Sequence, residues 1–194
     1  MSGFGHSFWP AIEQADPNLI KDNIRAVTVF GNQNLVADVD GTAVGILAGS
    51  VGIGPRAILS GLLKNAFGIF PKFAFNEYNA SRKALKHMQL VIRNYLPFSL
   101  FKMPYSRPFC EVLLFTLDKK YRGRGIGRMM MDEYINRARA GGGKWATVCT
   151  DTTASWQFYP SYGFKRIVSA SLNDCFAVAL PNEEVEGYIY SIKL

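Results

Sequence analysis

Two features of this sequence have residue types and spacing suited to chemistry: the run Arg122-Gly123-Arg124-Gly125-Ile126-Gly127 and the acid Glu111 upstream of it. Three glycines within five residues let the backbone bend and leave no side chains between it and a ligand. If a helix starts here, the unpaired N–H groups of its first turn face outward, and the helix dipole with Arg122, Arg124 and Arg128 adds positive potential. That combination suits an anion, and a diphosphate fits well. The plainer reading is a tight turn with solvated arginines. Gly123-x-Gly125-x-Gly127 is not the G-x-G-x-x-G of dinucleotide folds, and no Gly-Lys-Ser/Thr follows it. Glu111 shares an expected strand face with Phe109, Leu113, Phe115 and Leu117, where desolvation would raise its pKa toward that of a useful base. Its alternative is a carboxylate at the strand's edge, paired with a lysine or arginine from residues 54–108.

The elements that must position these groups are legible on either side. Residues 109–117 are apolar on both alternating faces apart from Glu111 and Thr116, which predicts a strand inside a sheet. Ile126, Met130, Met131, Tyr134, Ile135 and Ala138 recur at helical spacing, and Gly141-Gly142-Gly143 ends that helix. The glycine loop therefore sits where a strand hands over to a helix.

This segment resembles the GNAT superfamily of acyl-CoA-dependent N-acyltransferases, whose signature loop reads Arg/Gln-x-x-Gly-x-Gly/Ala after a central strand; residues 122–127 fill that pattern. A second signature is similar: Phe158, Tyr159, Gly163 and Phe164 have the family's Phe-Tyr-x-x-x-Gly-Phe spacing. The resemblance covers roughly residues 35–53 and 109–172. It implies an α/β (α+β) fold with a mixed, mostly antiparallel central sheet flanked by helices, in one domain over residues 1–194. It also implies transfer of an acetyl group directly from acetyl-CoA to a primary amine. By the same resemblance, backbone amides of Arg122, Gly123, Arg124, Gly125, Ile126 and Gly127 hold the coenzyme's pyrophosphate, and the backbone near Leu117 meets the oxyanion. Glu111 matches, eleven residues before Arg122, the glutamate that is general base in some members. Tyr159 takes the place of the acid that protonates the coenzyme thiolate, with Tyr162 a nearby rival. Thr152 stands where the family often has an asparagine that contacts the coenzyme, and its hydroxyl can still hydrogen-bond.

Elsewhere the chain supplies framework. Its 194 residues are about half apolar, enough for one well-buried core, and the net charge of +7 favours an anionic partner. The N-terminus does not read as a signal peptide, so a cytoplasmic location is expected. Cys110, Cys149 and Cys175 are widely spaced and look like small core residues, and no metal site is expected. His6 and His87 lie near no nucleophile motif, which favours direct transfer over a covalent enzyme intermediate. Helical pattern is expected over 8–29, with Asp16-Pro17 opening a second helix. Residues 35–41 and 42–51 read as a hairpin about Asp40-Gly41. Later come a strand over 144–150, a short helix over 153–159 stopped near Pro160, a strand from 163 to 172, and a final strand over 186–194. Residues 173–184 are either a short strand with a turn or an irregular loop.

Residues 54–108 form an insertion, longer than the family's usual link before its central strand, with two amphipathic helical runs. Its aromatics, from Phe67 through Phe75 and Tyr78 to Phe101 and Tyr105, exceed what two short helices can hide, so the surplus is expected to line an acceptor pocket or a homodimer contact. Lys83, Lys86 and Arg93 should face solvent. The apolar run 42–55 is too short to span a bilayer, and no membrane partner is expected. The acceptor expected is a small-molecule or peptide amine. The alternatives are a basic nucleic-acid-binding module built on Lys119, Lys120, Arg122 and Arg124, which steep salt dependence would reveal, and a catalytically silent acyl-CoA sensor. Glu111 and Tyr159 are both present, which ranks the enzyme first.

Overall fold

Asp40 and Gly41 both take positive φ, 52° and 78°, and this pair turns β1 (Gln33–Val39) into β2 (Thr42–Ile53). The Asp38 carboxylate accepts from the Gly41 N–H at 2.9 Å and fixes the turn. The computed structural model describes residues 31–53 and 109–194 except 179, together with 71–72, 75, 77, 82–90 and 93–94. The helices expected over 8–29 and most of the insertion lie outside the described residues. Within the insertion, α1 (Arg82–Leu90) falls on the second expected amphipathic run.

From there the order is β3 (Phe109–Leu117), a 3-10 turn (Lys119–Tyr121), α2 (Ile126–Ala140), β4 (Trp145–Asp151), α3 (Phe158–Tyr162), β5 (Lys165–Ser171), α4 (Asn173–Phe176) and β6 (Glu186–Lys193). The six strands form one sheet in the order β1-β2-β3-β4-β6-β5. Every pairing is antiparallel except β3 with β4. This is the expected mixed, mostly antiparallel sheet flanked by helices.

Helix α2 buries Met130, Met131, Tyr134, Ile135 and Ala138 against one sheet face, where Leu47, Val51, Cys110, Val112, Ala146, Val148 and Tyr190 meet them. The larger aliphatic side chains among them each contribute roughly 1.5–3 kcal/mol by burial, the alanines less. Close approach of α2 depends on Gly49, where an added Cβ would lie 2.3 Å from the Tyr134 ring. On the opposite face a smaller cluster joins Cys175 and Phe176 of α4 to Ile189, Val168 and Cys149. Helix α1 packs against α4, so the described helix of the insertion lies on this second side.

Three expectations need correction. The short helix expected over 153–159 is instead α3 at Phe158–Tyr162, so Pro160 does not stop it but lies in its first turn, where its missing N–H would have no helical partner anyway. Residues 173–176 are helical, neither strand nor irregular loop. Most consequential, Glu111 does not share a face with Phe115 and Leu117. Ala48 pairs with Leu114 but Gly49 pairs with Val112, so Leu113 is an extra residue and the alternation of β3 reverses there. Phe115 packs with the α2-side core, whereas Glu111 alternates with Cys110 and Val112 onto the other face. Of the insertion's aromatics, Phe75 is described and is 79% exposed in the single chain. Lys86 and Arg93 are exposed as expected, while the Lys83 side chain lies outside the description. Among the described residues no helix is long and apolar enough to cross a membrane.

Candidate active site

Strands β3 and β4 pair only through Cys110–Ala146, Glu111–Thr147 and Val112–Val148. Beyond that level β3 continues with β2 alone and β4 with β6 alone, so the sheet opens into a wedge. A cavity of about 370 Å³ occupies it, lined from β3 by Phe115, Thr116 and Leu117, from β4 by Thr150, and from α3 by Phe158 and Tyr159. Arg122, Gly123, Gly125, Gly127 and Arg128 close one end, and Ala154 and Ser155 the other wall.

The glycine loop takes the expected form. Gly123 and Gly125 have φ of 76° and 80°, a region that disfavours residues bearing a Cβ, and Gly125 caps the N-terminus of α2. The first helical bond runs from the Met129 N–H to the Gly125 carbonyl at 3.0 Å, so the amides of Ile126, Gly127 and Arg128 precede the ladder. Gly127 packs near Phe115 and Phe158, and a Cβ there would meet the Phe115 ring at 3.4 Å. The Arg122 Nε donates to the Leu117 carbonyl at 3.3 Å, and its Nη1 reaches the Ser155 hydroxyl at 3.4 Å, which ties the loop to both walls. Arg124 lies over the Tyr121 ring at 5.2 Å and Arg128 over the Tyr162 ring at 5.2 Å.

Tyr159 is buried, stacks on Tyr190 at 5.9 Å and meets Phe158 and Phe164 edge-on. Burial, with Cys149 and Asp151 nearby, pushes its phenol well above the usual tyrosine range, so it stays protonated. Its rival Tyr162 instead donates to Asp132 at 2.5 Å and lines no part of the cavity. Behind Tyr190, Arg166 donates twice to the Tyr190 hydroxyl, at 3.2 and 3.1 Å, and lies 3.9 Å over the Tyr188 ring.

Glu111 is half-buried in the middle of the three β3–β4 pairs, one pair before the strands part, and burial pushes its carboxyl up to about 8. It does not line the cavity and stands on the sheet's other face. Thr152 also lies outside the lining: its N–H donates to the Glu186 carbonyl at 2.9 Å, and its hydroxyl accepts from the Glu186 N–H at 3.1 Å. Thr150 and Ser155 line the cavity without having been singled out in the sequence. Thr150 follows Ala146 and Val148 by simple alternation, but that face faces a cavity only because β4 stands beside a diverging β3. Ser155 is returned to the wall by a turn in which the Asp151 carboxylate accepts from the Thr153 N–H and hydroxyl.

Comparisons with known proteins agree with this geometry. The model of the acetyltransferase (GNAT) family matches residues 73–164. N-alpha-acetyltransferase RimI of Mycobacterium tuberculosis is 42% identical over 57 residues, which are 29% of this chain and 35% of that protein, so the match spans about a third of the relative's length. The crystal structure of smu.2055 from Streptococcus mutans UA159 aligns with a TM-score of 0.53 at 17% identity, covering 89% of this chain and 77% of the other. Ard1 from Thermoplasma volcanium aligns with a TM-score of 0.51 at 16% identity, with the same coverages of 89% and 77%. At these identities the two structures speak for the fold alone. Over residues 73–164, a little under half of its length, the chain is thus similar to the acetyltransferase (GNAT) family, and its signature loop and parting strands fit that likeness.

Proposed function

We propose that the chain transfers an acetyl group directly from acetyl-CoA to a primary amine, with Glu111 as general base and Tyr159 as general acid. The observation that carries this reading is the wedge between β3 and β4, which joins anion-directed amides at one end to a protonated, buried tyrosine on its wall. When bound, acetyl-CoA supplies the activated thioester and its leaving thiol. The chain's part is to hold the diphosphate on the amides of residues 122–127, with Arg122 and Arg128 beside them. Leu117, at the wedge, is the backbone available to a developing oxyanion. Tyr159 lines the cavity and carries a proton that burial retains.

Glu111 suits the base because its carboxyl titrates close to neutral pH and sits one ladder pair from the point where β3 and β4 part. The amine would thus arrive from the face of α1 and α4, opposite α2. Thr152 enters only as the residue that ties this turn to β6. The name of the Mycobacterium relative makes a peptide α-amine the first acceptor to test, followed by lysine side chains and small amines.

The test is free-thiol release from acetyl-CoA with a panel of these amines, alongside calorimetry of coenzyme binding. Amine-dependent release is expected, with binding lost in Gly125→Val. Unchanged coenzyme affinity in a folded Gly125→Val protein would overturn the assignment of the loop.

A further inference from the structure

The reversal at Leu113 sets a polar row across the sheet face opposite α2. Ser50 on β2 is the register partner of Glu111, which pairs with Thr147 on β4, which pairs in turn with Ser191 on β6. Register partners point to the same side, and antiparallel neighbours have Cβ atoms roughly 4.5–5.5 Å apart. Ser50, Thr147 and Ser191 are only 3%, 2% and 5% exposed. The Ser50 hydroxyl is fully buried and has no hydrogen-bond partner, an arrangement that ordinarily costs about 1–3 kcal/mol.

The neighbouring donors among the described residues are already committed. Thr147 donates to the Cys110 carbonyl at 3.3 Å, and the Tyr134 hydroxyl, reaching through from α2, donates to the Ser50 carbonyl at 3.1 Å. On α1 the ionisable side chains described, Arg82 and Lys86, are exposed. Among the described residues, Ser50 is therefore the neutral donor left beside Glu111. A hydroxyl suits both protonation states, since it accepts from a carboxylic acid and donates to a carboxylate.

We propose that Ser50 is a positioning residue for the reaction: its hydroxyl turns to hydrogen-bond the Glu111 carboxylate and holds it toward the incoming amine. This rests on Glu111 being the base. The contact strengthens on ionisation, because hydrogen bonds to charged groups outweigh neutral ones. A purely structural Ser50 predicts the opposite, as removing an unsatisfied buried hydroxyl is neutral or stabilising.

The experiment compares wild type, Ser50→Ala, Glu111→Gln and the double variant by thermal melting at pH 6 and pH 9.5. It adds turnover of acetyl-CoA with a peptide bearing a free α-amine. The melting deficit of Ser50→Ala is expected to be larger by about 3 °C at pH 9.5 than at pH 6, and to vanish in the Glu111→Gln background. Its kcat should fall about tenfold with an unaltered KM for acetyl-CoA, and the loss should not add to that of Glu111→Gln. A deficit equal at both pH values, or a more stable Ser50→Ala protein, overturns the inference whatever the turnover. Stability coupling accompanied by full turnover in Glu111→Gln sinks the base assignment and the positioning role with it, while leaving the contact itself.

Discussion

If Glu111 is the base, the pH dependence of the rate carries its signature. Desolvation moves the carboxyl from the ordinary 4.5 to about 8, so roughly one tenth is ionised at pH 7 and about nine tenths at pH 9. The acceptor amine loses its own proton over the same range, so the quantity to read is the ratio of kcat/KM for wild type to that for Glu111→Gln. The amine's titration cancels in that ratio. It should rise about tenfold from pH 7 to pH 9, with a midpoint near 8, and reach ~10²–10⁴ at its plateau. Initial rates of thiol release between pH 6 and 9.5 measure it. The same displacement acts on folding with a definite sign. A carboxyl with a raised folded pKa keeps a proton that the unfolded chain has released, so wild type loses stability as pH climbs from about 4.5 to about 8 and is level above that. Relative to Glu111→Gln the loss is on the order of 5 kcal/mol as an upper bound, read from melts at pH 5 and pH 9. A flat rate ratio, or one that has already levelled by pH 6, would refute the reasoning, because it would place Glu111 either outside the chemistry or in water.

Three further outcomes follow from the site and its frame. Tyr159→Phe should lower kcat by ~10²–10⁴ with coenzyme affinity intact, whereas Tyr162→Phe, which removes only the bond to Asp132, should stay within about twofold of wild type. Turnover that falls equally in both variants would leave the acid unassigned to either ring. Gly125→Ala forces a Cβ into φ of 80°, at a cost of about 1–2 kcal/mol, and calorimetry should find coenzyme affinity weakened at least several-fold. Gly49→Ala would drive a Cβ to 2.3 Å from the Tyr134 ring and should lower stability by about 1–3 kcal/mol in denaturant titration; a wild-type midpoint would mean that α2 does not sit this close.

The parts of the fold that were legible in the sequence are those that depend on neighbours along the chain. Asp40-Gly41, the strand Phe109–Leu117, the glycine loop and α2 are specified by local turn chemistry and periodicity, and each lies where it was expected. Pro160 misled because a proline ends a helix from its interior but fits its first turn, and the sequence alone does not say which turn it occupies. The placement of β6 between β4 and β5 depends on pairings far apart in the chain, and no local signal announces it. The same holds for the candidate site. Alternation put Glu111, Phe115 and Leu117 together, but a bulge at Leu113 is invisible in a run of apolar residues that reads equally well in either register. Thr150 and Ser155 escaped notice because their importance comes from the parting of two strands, not from their own neighbours.

That single additional residue makes β3 work as a crankshaft. On one side of Leu113 the strand offers Glu111 to the layer containing α1 and α4; on the other it offers Phe115 to the layer containing α2. Under the proposed chemistry, the two substrates are then read by surfaces that share a backbone but almost no side chains. Residues that select an acceptor can be exchanged on the Glu111 side without disturbing the groove that grips the coenzyme. On that same reading the insertion, whose described helix lies on that side, is open to variation, whereas removal of Leu113 would turn one half of the strand over and separate the proposed base from the coenzyme groove in one stroke.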